Sequence, residues 1–477
     1  MDYEVINSMM PLLPNTKKLA KNGKVSPFRS VFPPDSIPSW ITCYTGKDPS
    51  EHGVLESVNY IDKGHKRLNI DTSAFRGETF WDIIGIAGRS VCVINPFMAY
   101  PVWSVNGVMI NGPVFIDGNI QIYDSGWTEG IKIPQSLGGI VGFPNRNTIG
   151  KFVKKAFVDT LEQAKFGLAV LNKNRPDLYF QTFLTMDRIQ HFLWRYCDPK
   201  DPDYPGPNPY ESVIEEFYIL IDTILGEFLN VLEPDDRLIV ISDHGHGMRC
   251  THCFNINELL RKHGYLRSVA DGKIFSKQLL VEKLKNKILN FMHKQNLADY
   301  IRKIDRFIPN AKKLKKGNHI TINCHNKAYA SDFSGTNPFG GVCINRTMVS
   351  DYSKTRQKVI ELLDSIQVNN EPIFKWIMKR EEMFNGEFLG RLPDILFCMQ
   401  PQYGVNWNLH SNDIIVNPTH KLISGGHNEI GILLSNIESK KFADESEINT
   451  TNFFHTVLAL NGISYGDSNN GKSFING

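Results

Sequence analysis

The chain has 477 residues, 41% of them apolar and 22% charged, with a formal net charge of +3. Those values fit a folded globular protein and give no electrostatic case for a nucleic-acid binder. The length leaves room for one large α/β unit with an insertion, or for two to three domains, and no apolar run reaches the 18 or so residues of a membrane helix.

In chain order, the opening MDYEVINSMMPLLPNTKKLAKNGKV sets acids before a short apolar patch and lacks the build of a secretory signal. The eight cysteines (43, 92, 197, 250, 253, 324, 343 and 398) are scattered, so they read as reduced thiols of a cytoplasmic protein. Cys250 and Cys253 form a C-x-x-C with no second pair after it, a chance spacing more readily than a structural metal site.

The stretch VFPPDSIPSWITCYTG (Val31–Gly46) holds prolines at 33, 34 and 38, which restrict the loop around Ser36. A helical pattern follows directly. Backbone N–H groups and the positive helix end would then face an incoming phosphate.

Further on, four apolar runs suit buried parallel strands: Arg89–Phe97, Asp177–Asp187, Asp236–Gly245 and Pro393–Met399. Helical patterns at Phe152–Asn174 and Tyr210–Leu232 alternate with them. The alternation predicts an α/β sandwich, a mostly parallel central sheet with helices on both faces, and ligands beyond the carboxyl ends of its strands.

Chemistry-bearing residues gather at those ends. Asp187 and His191, four apart in TMDRIQHFLW, share one face of a starting helix. Asp243 and His244 close LIVISDHG, where the glycine permits a tight turn. His427 follows two glycines in SGGHNEIGILL. Two carboxylates and three imidazoles suit Zn²⁺, or Mn²⁺, and suffice for two ions. Metal coordination would also explain Ser36, whose hydroxyl is otherwise not ionised at neutral pH.

One segment departs in charge. Lys273–Lys316 carries thirteen Lys/Arg against three Asp/Glu, with Leu280, Leu284, Ile288 and Met292 at helical spacing. Residues 255–347 are expected as a cap inserted between 1–254 and 348–477. The cap's basic face is either solvated, poised over an anionic substrate, or in peripheral contact with an acidic membrane surface.

With these residues in hand, the order Ser36, TGKDPSEHG, DRIQHFLW, SDHGHG and SGGHNEIGILL resembles the alkaline phosphatase superfamily, and within it the type I phosphodiesterase/nucleotide pyrophosphatase group. The likeness extends over nearly the whole chain, through SVNGVMING, FNINELLRKHGYL, RLPDILF and NFFHTVLALNGIS. It implies an alkaline phosphatase-like fold and Ser36 as nucleophile. It also implies one ion on Asp187, His191 and His427, and another on Asp243, His244 and Ser36. The expected function is hydrolysis of phosphodiester or nucleotide pyrophosphate bonds in small-molecule substrates through a phospho-serine. The alternatives are a phosphomonoesterase or phosphomutase of the same superfamily, or a non-catalytic phosphate-binding relative lacking one ligand.

Three departures qualify the likeness. Ser57, with Asn59 nearby, stands where extracellular relatives carry a phosphate-contacting Asn. Trp40 occupies the position of the sulfatase arginine, which argues against that chemistry. Relatives also begin with an apolar strand ending in a metal-binding Asp-Gly; by register this would fall before Met1, so a longer active product is expected, Asp2 and Asp35 being poorly placed as substitutes.

Overall fold

The computed structural model describes the chain apart from residues 56–57, 61–66, 70–71, 115–117, 138–143, 146, 268–325, 332, 334–336, 407–408, 418, 445, 447, 466–470 and 477. The basic stretch 273–316 and Ser57 therefore lie outside the described residues. The chain divides into two units. The first comprises Met1–Gly247, Gly386–Phe388 and His427–Gly477; the second comprises Met248–Asn385 and Leu389–Gly426.

The first unit contains two larger sheets. One runs in the order Gln121–Tyr123, Gly107–Asn111, Val91–Ile94, Leu178–Gln181. Val91–Ile94 is parallel to both neighbours and fully buried, as a continuous apolar run requires. The other sheet places Ile430–Ser435 between Lys24–Arg29 and Ile239–Ile241, antiparallel to each. The expected strands at 89–97, 177–187 and 236–245 are thus present as shorter cores, but Ile239–Ile241 is antiparallel to its neighbour rather than parallel, and it and Leu178–Gln181 are half-buried rather than sealed.

Long helices flank these strands: Ile149–Asn174, Thr185–Cys197 and Val213–Val231, with the shorter Ser36–Thr45 and Thr450–Leu460. Ser36–Thr45 is buried at every position after Ser36, because Trp40, Ile41 and Tyr44 pack into the main core. There Tyr44, Phe80, Trp81 and Phe180 meet edge-on or stacked at ring separations of 4.8–6.4 Å, geometries that suit the ring quadrupoles. Asp35 caps the helix by accepting from the Ile37 N–H, and Gly46, at φ 69°, supplies the left-handed residue that ends it.

The second unit is built on an antiparallel sheet ordered Ala328–Ser331, Phe339–Ile344, Ile395–Met399, Phe374–Lys379. The run at 393–399 was expected among parallel strands, and it is antiparallel to both neighbours. Its five residues are all buried, and burial on both faces gives the same unbroken apolar run in either type of sheet. No described cysteine forms a disulfide. Among the described residues no helix is long and apolar enough to cross a membrane.

Candidate metal centre and nucleophile

All six side chains singled out in the sequence lie in the first unit. Ser36 is the first residue of its helix and is half-buried. Asp187 and His191 stand one turn apart at the start of Thr185–Cys197. Asp243 and His244 follow the Ile239–Ile241 strand after Ser242, and His427 lies in the Gly425–Asn428 strand.

Three of these atoms form a tight triangle. His191 Nε2 lies 3.2 Å from Asp187 Oδ1, His427 Nε2 lies 3.4 Å from that same oxygen, and the two nitrogens are 2.9 Å apart. An ion bound tetrahedrally at about 2.0–2.1 Å holds its ligand atoms about 3.3 Å from one another. The triangle fits.

A second group adjoins it. His244 Nε2 is 2.9 Å from Ser36 Oγ and 3.4 Å from Asp243 Oδ2. The His244 ring stacks on that of His427 at 3.7 Å, so the two ligand sets implied by the family resemblance form one continuous cluster.

Backbone carbonyls fix the ring tautomers. His427 Nδ1 donates to the Pro34 carbonyl at 3.0 Å, and His244 Nδ1 donates to that of Gly245 at 3.0 Å. Each Nε2 then presents its lone pair to the cluster. Asp187 Oδ1 and Asp243 Oδ2 are buried without a well-formed hydrogen bond. Lone pairs and carboxylate oxygens converging with too few protons to share could hold a cation.

The electrostatics agree. Burial pushes the Asp187 carboxyl up, but His191, His427 and Arg188 outweigh it and hold the group well below the usual carboxylate range. Burial, followed by repulsion from neighbouring imidazoles, pushes His246 and His427 well below the ordinary histidine value, leaving both neutral and able to ligate. Burial raises Asp35, partly offset by the Ile37 N–H.

The sequence does not single out His246, and it sets Asp2 aside as a ligand. His246 is 2% exposed, and together with Asp187, His244 and His427 it offers one ligand atom within 4.8 Å of each of the others. The signal was the His-x-His spacing, since alternate residues of an extended segment share a face. Asp2 lies close by, but its carboxylate already accepts from Asn428 Nδ2 at 2.7 Å, from the His246 N–H at 3.2 Å, and from the N–H groups of Glu4 and Val5. It braces the cluster from outside.

Against known proteins, the family model described as type I phosphodiesterase / nucleotide pyrophosphatase matches residues 1–412. No curated protein matches the chain significantly. Among solved structures, phosphonoacetate hydrolase from Sinorhizobium meliloti, in complex with phosphonoacetate, aligns at TM-score 0.55 and 15% identity. That alignment covers 96% of this chain and 92% of the other. Human ectonucleotide pyrophosphatase / phosphodiesterase 5 aligns at TM-score 0.50 and 14% identity, covering 97% and 92%. At such identities these structures speak to the fold alone.

Proposed function

The chain belongs to the type I phosphodiesterase / nucleotide pyrophosphatase family and is a phosphoester hydrolase, and from that premise we propose that it cleaves phosphodiester or nucleotide pyrophosphate bonds with Ser36 as the nucleophile at a two-ion centre. The observation that carries this reading is the approach of Ser36 Oγ to His244 Nε2, 2.9 Å, at the edge of the Asp187–His191–His427 triangle.

Asp187, His191 and His427 would hold one divalent cation, and Asp243, His244 and Ser36 a second. The imidazole-rich donor set favours Zn²⁺. Such ions would lower the pKa of the serine hydroxyl and offset charge on the phosphoryl group. Ser36 Oγ forms its bond to phosphorus as the bond to the leaving alcohol or nucleotide breaks, and the hydroxyl proton goes to solvent. Water then cleaves the phosphoseryl bond, releasing the phosphate monoester and restoring Ser36.

The test pairs metal analysis with substrate choice. Purified protein should contain close to two equivalents of zinc, lose turnover on chelation, and hydrolyse bis-p-nitrophenyl phosphate faster than p-nitrophenyl phosphate. A clear preference for the monoester would instead point to a phosphomonoesterase. Full activity after complete metal removal would end the metal-centred reading.

A further inference from the structure

His246 has no place in the ligand sets implied by the family resemblance, yet it occupies the heart of the cluster. Its Nδ1 lies 3.8 Å from Asp187 Oδ1, the oxygen already shared by His191 and His427. Its ring centroid lies 4.5 Å from that of His191 and 5.6 Å from that of His427. Nε2 is fully buried and has no hydrogen-bond partner. A histidine kept only for packing would have its buried nitrogens satisfied.

The position is also enforced. The His246 N–H is tied to Asp2, and the ring of Trp194 stands behind at 6.1 Å, inclined 30°. At Gly245 a Cβ would overlap Asn428 Oδ1 and the Ile430 carbonyl, so the extended segment carrying both His244 and His246 is clamped.

We propose that His246 is a ligand of the ion held by Asp187, giving that ion one carboxylate and three imidazoles from the protein. The inference rests on the metal-centred reading above. With four protein ligands, His246 would compete with a substrate oxygen for that ion. Exchanging a water for an imidazole also moves the site's preference from Mn²⁺ or Mg²⁺ toward Zn²⁺ and Co²⁺.

The experiment uses the full chain, stripped with chelator and titrated with Zn²⁺ and with Co²⁺ as a visible-absorption probe. His246→Phe keeps a ring against Trp194 without a nitrogen; His246→Ala removes the ring, and circular dichroism reports whether each variant is folded. Loss of a partner that merely orients a ligand weakens metal binding about 10–100-fold, so loss of a direct ligand should raise the Kd of one Zn²⁺ by at least about tenfold. The Co²⁺ bands should shift, and the preference for Zn²⁺ over Mn²⁺ should shrink. A folded His246→Phe protein with wild-type Zn²⁺ affinity and an unchanged Co²⁺ spectrum would overturn the proposal alone. A wild-type protein that binds no ion would overturn the metal-centred reading with it.

Discussion

At residue scale, the two Nδ1–H groups held by the Pro34 and Gly245 carbonyls leave His427 and His244 with Nε2 facing the cluster, and Ser36 Oγ meets one of those lone pairs at 2.9 Å. A serine so placed has no packing role that alanine would forfeit. Ser36→Ala is therefore expected to keep its melting temperature within a degree or two while turnover falls by at least about 10³-fold, as loss of a covalent nucleophile does. Steady-state kinetics beside a thermal melt decides it: more than a tenth of wild-type activity would remove Ser36 from the nucleophile's role. The Asp187/His191 and Asp243/His244 pairs are legible in the sequence because the helical period and a glycine-bordered strand end dictate where those side chains go. His246 is harder to see. It follows that same glycine, and only its two-residue spacing from His244 betrays a shared face.

At the scale of elements, the strand that begins at Gly245 and the strand through Asn428 form one clamp. Asn428 Oδ1 accepts from the Ile430 N–H, its Nδ2 donates to Asp2, and the space above Gly245 is filled by these groups. Gly245→Ala must push the two elements apart. The expected cost is about 1–3 kcal/mol of stability, with weaker zinc binding because His244 and His246 move together. A titration showing unchanged zinc affinity would mean that the segment yields without moving its histidines. Element positions were readable wherever apolar runs were long, as in Val91–Ile94 and Ile149–Asn174. Strand direction was not. The pairing of Ile395–Met399 depends on residues far away in sequence, and its local pattern is the same for either direction.

At the scale of the whole molecule, buried neutral histidines tie stability to pH. His52 shows how: its Nδ1 accepts from the Val54 N–H at 3.1 Å, its Nε2 meets Thr42 Oγ1 at 3.2 Å, and burial, followed by the charge of Lys47, lowers its pKa to about 3. Protonating Nδ1 would break the first bond. The unfolded chain takes up this proton near pH 6.5 while the folded chain refuses it until about pH 3. Stability is therefore fully present above pH 6.5 and declines as pH falls through the window below, by up to about 1.4 kcal/mol per pH unit for such a group. Thermal melts between pH 7.5 and 4.5 should show a shallower decline for His52→Gln than for wild type, from a lower starting point. Parallel curves would assign the acid sensitivity to other groups.

Leu178–Gln181 and Ile239–Ile241 each have a single hydrogen-bonded neighbour among the described residues, and every one of their residues is only half-buried, whereas the adjoining Val91–Ile94 is sealed. Apolar strands with one free row of peptide groups invite pairing between molecules. The consequence is colloidal: concentrated or gently warmed protein should self-associate through these rows before it unfolds globally, with extra β-structure in the associated material. Val240→Lys, a charge set on one of the two edges, should delay the rise in light scattering without altering turnover.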